Sequence, residues 1–169
     1  VKYRFDTGFS VSFVGVLNGD GMPATGHISY SGDSAVKGLT ATYDAENKTL
    51  EYSNGDVYEG EVKHLVKHGT GKLTRDNGDI YEGEFYEDRQ HGHGVSTFAN
   101  GDIYDGEYEN GNKSGQGTYT WADGSVYTGS FKDDLKDGEG VHTMADGASY
   151  EGSYVKGAKE GKGIYKYAD

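Results

Sequence analysis

Hydrophobic and polar residues alternate with a period of two along most of this chain. In residues 104–108 the odd positions carry aromatic residues and glycine, and the even positions are acidic. In residues 117–121 glycine and aromatic residues alternate in the same way with threonine. Alternation over five residues, bounded by glycine and by Asn or Asp, is typical of half-buried β-strands. No segment has a helical period, so the pattern predicts an all-β protein.

The alternating segments recur with a fixed period of 23 residues. Five tyrosines keep this spacing, and a glycine follows each of them two places later. A turn glycine precedes each tyrosine by three places, and a glycine pair follows it after eleven and thirteen places. Because these landmarks keep one period over five copies without an insertion or deletion, the chain is a repeat array. The tyrosines are Tyr58, Tyr81, Tyr104, Tyr127 and Tyr150.

The period divides the chain into a regular and a degenerate part. Residues 52–169 carry five regular repeats, and residues 1–51 carry two degenerate repeats that continue the same array. The degenerate part has a core-like Phe13-Val14-Gly15 and a similar core 23 residues later, but it then loses the Gly-x-Gly pair. An unrelated cap is the alternative interpretation of this part. Both ends of the chain fall within a repeat, so we expect a fragment of a longer array.

The length of the loop between repeats decides on which face the aromatic residues lie. At residues 99–101, a two-residue Asn-Gly turn would place Phe98 and Tyr104 on opposite faces of the sheet. A three-residue loop with a left-handed glycine at its last position pairs Ser96 with Tyr104, and glycine with glycine two residues further on. A shift of one residue turns a whole strand over, and only the three-residue loop gathers the aromatic residues on one face. We therefore predict the three-residue loop.

This register predicts an elongated, single-layer antiparallel meander of stacked hairpins, in the form of a rod or trough. One face carries paired glycines flanked by Tyr, Phe and Trp, and the other carries Glu, Thr, Lys and Val. Facing glycines leave a floor without Cβ atoms, on which neighbouring aromatic rings can lie flat. We call the face that carries the rings the aromatic trough.

Composition limits the partners that the chain can have. It has 16 basic and 28 acidic residues, a formal net charge of -12, and no basic run. Phosphate backbones and anionic membranes attract clustered Lys and Arg, so we expect no nucleic-acid partner and no direct membrane binding. The chain has no Cys, which excludes disulfides and thiolate metal sites, and no apolar run long enough to span a membrane.

The repeat contains no convincing catalytic or metal site. His68 and His91 occupy equivalent positions, about 10 Å apart on neighbouring hairpins, whereas ligands of one zinc ion lie about 2.0–2.1 Å from the metal. Carboxylate pairs such as Glu82 and Glu84 lie on a solvated face, where we expect them to serve solubility. The Gly-x-Gly pairs open no helix and so predict no phosphate site. We therefore expect no enzyme, no cofactor and no metal.

The repeat resembles the MORN repeat (membrane occupation and recognition nexus), whose pattern is Tyr-x-Gly-x-aromatic, a loop, Gly-x-Gly, an aromatic strand and an Asp/Asn-Gly turn. Residues 81–85 with 92–94, and residues 104–108 with 115–117, match this pattern closely. The resemblance implies an elongated, twisted sheet that is used as a scaffold. Such arrays occur in cytoskeleton-associated proteins, at membrane junctions, and beside catalytic domains of lipid kinases and methyltransferases. Several self-associate end to end or hold a partner's segment in the aromatic trough.

The aromatic trough is the best candidate for a functional surface, although the rings of a single-layer sheet also supply its only core. We expect a non-catalytic scaffold that binds a peptide or helix of a partner protein in the trough. We expect it in the cytoplasm, at the cytoskeleton or the inner membrane surface. Trp121 with Tyr119 is the predicted hot spot. The predicted partner-contacting residues are Tyr81, Phe85, Phe98, Tyr104, Tyr108, Tyr119, Trp121, Tyr127, Phe131, Tyr150 and Tyr154.

Other roles stay open at this stage. An unpaired edge strand at Tyr165 and Tyr167 predicts a site of self-association, which would give a homodimer. A regulatory or targeting module of a larger enzyme is the main alternative to the scaffold. A phospholipid-contacting module is the less favoured alternative, because the chain is acidic.

Overall fold

The computed structural model describes residues 1–32 and 36–169, which form fifteen β-strands and no helix. The chain divides into two units, Val1–Arg89 and Gln90–Asp169. The first eight strands are β1 Lys2–Arg4, β2 Ser10–Leu17, β3 Pro23–Ser31, β4 Thr40–Asp44, β5 Thr49–Tyr52, β6 Val57–Lys63, β7 Val66–Thr74 and β8 Ile80–Tyr86. The remaining strands are β9 Arg89–Thr97, β10 Ile103–Glu109, β11 Asn112–Thr120, β12 Val126–Lys132, β13 Leu135–Thr143, β14 Ser149–Val155 and β15 Ala158–Lys166. The all-β prediction is confirmed.

Within each unit, every strand pairs antiparallel with the next strand along the chain. The order is β1 to β8 in the first unit and β9 to β15 in the second. Short turns join most consecutive strands, which is the connection that antiparallel neighbours allow. The predicted antiparallel meander is therefore confirmed in both units.

The degenerate part of the chain shares one construction with the regular repeats. Gly15 lies opposite Gly26 in the pair formed by β2 and β3. A Cβ atom on either glycine would lie 2.8 Å from the ring of Phe13, so a ring covers a pair of facing glycines here too. Residues 33–35 of this part lie outside the described residues. The division of the array at residue 51 stays a prediction.

The three-residue loop predicted between repeats is present at residues 99–101. The amide of Phe98 donates to the carbonyl of Asp102 at 2.8 Å, and the last loop residue has a φ of 94°. A glycine at this position accepts the left-handed conformation without steric cost. Tyr104 lies opposite Ser96, and two residues further on glycine lies opposite glycine. The predicted register of this strand pair is confirmed.

The connection inside a repeat is a tight hairpin, whereas the repeat pattern indicated a longer loop. Asn110 and Gly111 have φ values of 49° and 87° and join β10 to β11. Positive φ at both central residues is the turn geometry that matches the twist of a hairpin. The second strand of the repeat is therefore nine residues long, and its first residues return along the glycine-bearing strand.

Each regular repeat places its tyrosine over a pair of facing glycines. Gly106 lies opposite Gly117, and a Cβ atom on Gly117 would come within 2.6 Å of the Tyr104 ring. The strand bulges between Gly106 and Tyr108, and a bulge leaves one residue out of the hydrogen-bonded ladder. The Tyr104 hydroxyl donates to the carbonyl of Glu107 in this bulge, at 2.8 Å. The equivalent hydroxyl bonds come from Tyr58, Tyr81 and Tyr127.

Aromatic rings from consecutive repeats form the core of the second unit. Tyr104 contacts Phe131 edge to face at a centroid distance of 5.2 Å, and Phe131 contacts Tyr127 at 5.2 Å. Tyr127 in turn contacts Tyr154 at 5.3 Å. Each such pair contributes about 0.5–1.5 kcal/mol beyond its burial. A ring of one repeat thus covers the tyrosine of the repeat before it.

Candidate functional site

Most of the predicted partner-contacting residues belong to the core rather than to an open trough. Eight of the eleven are at most 8% exposed, because rings on the first strands of consecutive repeats close over one another. A partner cannot contact these rings while the unit is folded, so their predicted binding role is corrected to packing. They are Tyr81, Phe85, Tyr104, Tyr108, Tyr127, Phe131, Tyr150 and Tyr154.

The other three predicted residues, Phe98, Tyr119 and Trp121, are half-buried and lie in one row with His142. We call these four residues the open ring row. Phe98 stacks on Tyr119 at 6.1 Å, and Tyr119 contacts Trp121 at 4.7 Å. Trp121 contacts His142 at 5.1 Å. The row is a continuous surface of rings, and it contains the pair that the sequence predicts as the hot spot.

The position of the open ring row explains why it stays open. Tyr119 lies opposite Tyr104 and Tyr127 in the neighbouring strands, and both of those rings are fully buried. The rings that close over the core tyrosines come from first strands, whereas Tyr119 is on the second strand of its repeat. Trp121 follows β11 in the loop, where its amide donates to the carbonyl of Ser125 at 2.9 Å. The backbone of the row is therefore held, while the ring faces remain accessible.

Asp102 anchors one side of the open ring row. Its carboxylate accepts the Tyr119 hydroxyl at 2.7 Å and the amide of Ala122 at 2.8 Å. These two hydrogen bonds, that from Tyr119 first, lower the pKa of Asp102 from its ordinary value. Burial and the same carboxylate raise the pKa of Tyr119. The sequence analysis treated Asp102 as a turn residue only, so it missed this contact.

Lysines cover the rings of the second unit, whereas the sequence analysis expected them only in loops among acids. Lys113 lies 5.7 Å from the centre of the Tyr104 ring. Lys136 lies 4.8 Å from the ring of Trp121 and 5.0 Å from that of Tyr127. Ammonium groups at such distances are attracted by the face of the ring. The signal in the sequence is that these lysines share the 23-residue phase of the tyrosines.

The cations also affect the histidine of the open ring row. Burial, followed by the neighbouring charges of Lys136 and Lys159, lowers the pKa of His142. Burial, followed by the charge of Lys159, lowers the pKa of Lys136 itself. This end of the row is therefore a local cationic region on a chain of net charge -12.

Glutamates of the repeat hold the bulged strands, in addition to the solubility role expected from the sequence. Glu107 accepts the amide of Gln116 at 3.0 Å, and Glu61 accepts that of Thr70 at 2.5 Å. Bonds between a carboxylate and a backbone amide are charge-assisted and therefore strong. The sequence analysis placed these carboxylates in solvent alone and missed this structural contact.

The first unit contains a cavity of about 220 Å³ beside the histidines that the sequence analysis considered. His64 stacks on Tyr3 at 4.9 Å, and Nδ1 of His68 accepts the amide of Glu87 at 3.4 Å. Among the described residues, no three His, Cys, Asp or Glu side chains form a group that could hold a metal ion. The part of the chain that the structure describes also has no helix that is long and apolar enough to cross a membrane.

The last strand carries the residues predicted for self-association. All nine residues of β15 are exposed, and Tyr165 and Tyr167 are 45% and 84% exposed. Tyr165 donates its hydroxyl to the sulfur of Met144 at 3.8 Å and contacts Tyr167 at 4.8 Å. Self-association through these two tyrosines stays a prediction.

Comparison with known proteins identifies the repeat. A family model described as the MORN repeat matches residues 58–80, 81–103, 104–126, 127–149 and 150–169, about two thirds of the chain. A search of curated protein sequences found no match.

Two solved structures illustrate the similarities in fold. The TCP domain of SAS-4 (dCPAP) of Drosophila melanogaster, solved with a proline-rich motif of Ana2 (dSTIL), is 12% identical. That match covers 89% of this chain and 81% of the other, with a TM-score of 0.40. The wild-type TCP10 domain of Danio rerio CPAP is 15% identical, with coverages of 90% and 94% and a TM-score of 0.28.

Proposed function

Because this chain belongs to the MORN-repeat family, whose repeats are interaction modules, we propose that it is a non-catalytic scaffold that holds a partner protein. The contact is an extended segment of the partner, which lies against the open ring row. The compartment that fits this role is the cytoplasm, at the cytoskeleton or the inner membrane surface, as for other arrays of this type.

The observation that carries this proposal is the continuous contact of half-buried rings from Phe98 through Tyr119 and Trp121 to His142. The tyrosines of the neighbouring first strands are at most 8% exposed, so the fold buries its rings where it can. Aromatic side chains each bury about 150–250 Å² when they are covered. A partner that covers the row gains this apolar burial without any rearrangement of the sheet.

An extended segment suits the spacing of the row. Side chains on one face of a strand repeat about every 6.6–6.8 Å. The ring centroids of the row are separated by 4.7–6.1 Å, which is similar. Alternate side chains of a bound segment can therefore each contact a ring or the gap beside it, as in peptide recognition by surface grooves.

The test uses the full chain and a displayed library of random dodecapeptides. Enriched peptides should bind the Trp121→Ala variant about 30-fold more weakly, which is the loss expected for a hot-spot ring. The matched control is Tyr86→Ala, which removes a ring that is 56% exposed outside the row and should leave affinity within about twofold. Circular dichroism should be the same for all three proteins. Equal binding by Trp121→Ala, or no enriched peptide at all, contradicts the proposal.

A further inference from the structure

One position of the repeat, nine residues after the tyrosine, is occupied by lysine in four of the five regular repeats. These lysines are Lys67, Lys113, Lys136 and Lys159, and Gln90 stands in the fifth place. The ammonium groups of the last three lie over the tyrosine ring of their own repeat, at centroid distances of 5.7, 5.0 and 4.4 Å. The position is therefore a cationic cover of the ring core.

Two of these lysines receive a carboxylate from the hairpin turn of the next repeat. Lys67 lies 2.7 Å from Asp88, and Lys113 lies 3.4 Å from Asp134. The two aspartates occupy the same turn position, with φ values of 75° and 70°. Their backbone amides donate to the carbonyls of Lys67 and Lys113, at 2.8 and 3.1 Å. The turn and the lysine thus form a fixed backbone contact to which a carboxylate is added.

The same backbone contact occurs twice without a carboxylate. Gly111 donates to the carbonyl of Gln90 at 2.9 Å, and Gly157 donates to that of Lys136 at 2.8 Å. In the first case the covering residue is neutral, so no carboxylate is needed. In the second case a lysine faces a glycine. Lys136 is thus the one lysine of these four turn contacts that has no aspartate, and among the described residues it forms no ion pair.

The place of Lys136 connects this missing carboxylate to the open ring row. Its ammonium lies 4.8 Å from the ring of Trp121, and Lys159, which is close enough to lower its pKa, adds a second positive charge. A half-buried cation gains from a carboxylate partner, because charge-assisted hydrogen bonds are stronger than neutral ones. The neighbouring repeats show that a carboxylate is the group that the chain itself uses at this lysine position.

We propose that Lys136 binds a carboxylate of an acidic partner segment whose neighbouring apolar side chain packs on Trp121. This inference rests on the proposed function and specifies the chemistry of its partner. A protein carboxylate is favoured over a membrane or nucleic-acid phosphate because the chain carries 28 acidic and 16 basic residues. A long polyanion would bring further phosphates against that acidic surface, whereas a single Asp or Glu takes the place that Asp134 has beside Lys113.

The chain offers a matched pair of substitutions for the test. Gly157→Asp supplies an internal carboxylate to Lys136, with a backbone φ of 85° that is close to those of Asp88 and Asp134. A Cβ atom there meets only Leu135, at 3.7 Å, and a Cβ atom on Gly111 meets nothing within 4 Å. Gly111→Asp is therefore the control, since it adds the same charge at the same turn position beside a neutral glutamine.

The measurement is fluorescence anisotropy of dodecapeptides enriched from the displayed library, with the full chain and both variants. We expect the enriched peptides to contain Asp or Glu. Gly157→Asp should weaken their binding at least about tenfold, the loss of one charge-assisted contact, and Gly111→Asp should change it by less than about twofold. Replacing the acidic residue of the peptide by Asn or Gln should weaken binding to the parent chain as much as Gly157→Asp does.

The possible failures separate the two proposals. Peptides that depend on Trp121 but bind Gly157→Asp as tightly as the parent chain overturn the acidic partner and leave the proposed function standing. No Trp121-dependent peptide overturns both. Phosphatidylserine vesicles that bind the parent chain, and lose this binding in Gly157→Asp but not in Gly111→Asp, would make the ligand a lipid headgroup and overturn the proposal.

Discussion

The buried ion pair of the first unit allows a quantitative test of how this repeat handles charge. The Lys67 ammonium lies 2.7 Å from Asp88, and the two side chains are 5% and 1% exposed. Asp88→Gly removes the carboxylate and leaves the turn with a residue that its φ of 75° suits. Breaking a buried pair by removing one partner costs about 3–5 kcal/mol of unfolding free energy.

Two features of the site place the expected loss in the lower half of that range. The ammonium keeps its bond to the Tyr52 hydroxyl at 3.1 Å and its position 4.7 Å from the centre of the Tyr52 ring. The second carboxylate oxygen of Asp88 is buried without a hydrogen-bond partner among the described residues, so its removal relieves a desolvation cost. We therefore expect Asp88→Gly to lower the unfolding free energy by about 3 kcal/mol.

Urea denaturation followed by circular dichroism at neutral pH measures this loss. Asp134→Gly is the control, because it makes the same backbone change at an exposed pair and should cost less than about 1 kcal/mol. Adding Lys67→Gln to Asp88→Gly recreates the neutral combination of Gln90 and Gly111, so it should recover at least about half of the loss. Equal losses for the two aspartates, or a double variant no more stable than Asp88→Gly alone, would refute the reasoning.

Three further predictions concern the glycine floor, the anchor of the open ring row and the last strand. Gly117→Ala should lower the unfolding free energy by about 3 kcal/mol, measured by urea denaturation, because its Cβ would come within 2.6 Å of the Tyr104 ring. Asp102 has a lowered pKa in the folded chain, so its stabilising contribution is present above the unfolded pKa and is lost as pH falls through the folded one; the stability difference between the parent and Asp102→Asn should therefore shrink between neutral and strongly acidic pH, and a constant difference would contradict this. Tyr165→Ser should raise the dimer dissociation constant about tenfold or more in sedimentation equilibrium, and a parent chain that stays monomeric at every concentration would end the self-association hypothesis.

The sequence was sufficient for the fold because its glycines carry geometric information. A left-handed glycine at the end of residues 99–101 selects a three-residue loop, and that loop determines the register between Ser96 and Tyr104. The bulge after Gly106 was missed, since a residue added to one strand leaves no mark in a strict 23-residue period. The same is true of the tyrosine hydroxyl that bonds to the bulge.

The candidate site could be predicted only in part, because burial depends on which ring covers which. The sequence places Tyr104 and Tyr119 on one face of the sheet, yet Tyr104 is fully buried and Tyr119 is half-buried. The difference arises because Phe131 of the next repeat lies against Tyr104, a contact between repeats that alternation within one strand does not encode. The role of Lys136 was missed for another reason: the lysines were compared with the acids by number, whereas their phase in the repeat places them over the rings.

The central claim, that a partner segment lies on the open ring row, can be tested most directly by the fluorescence of Trp121. The chain has a single tryptophan, which is half-buried in the row, so its emission reports on this surface alone. Titration with an enriched acidic dodecapeptide should shift the emission to shorter wavelength and saturate at the dissociation constant found by anisotropy. Binding seen by anisotropy without any change in tryptophan emission would place the partner elsewhere and contradict the account.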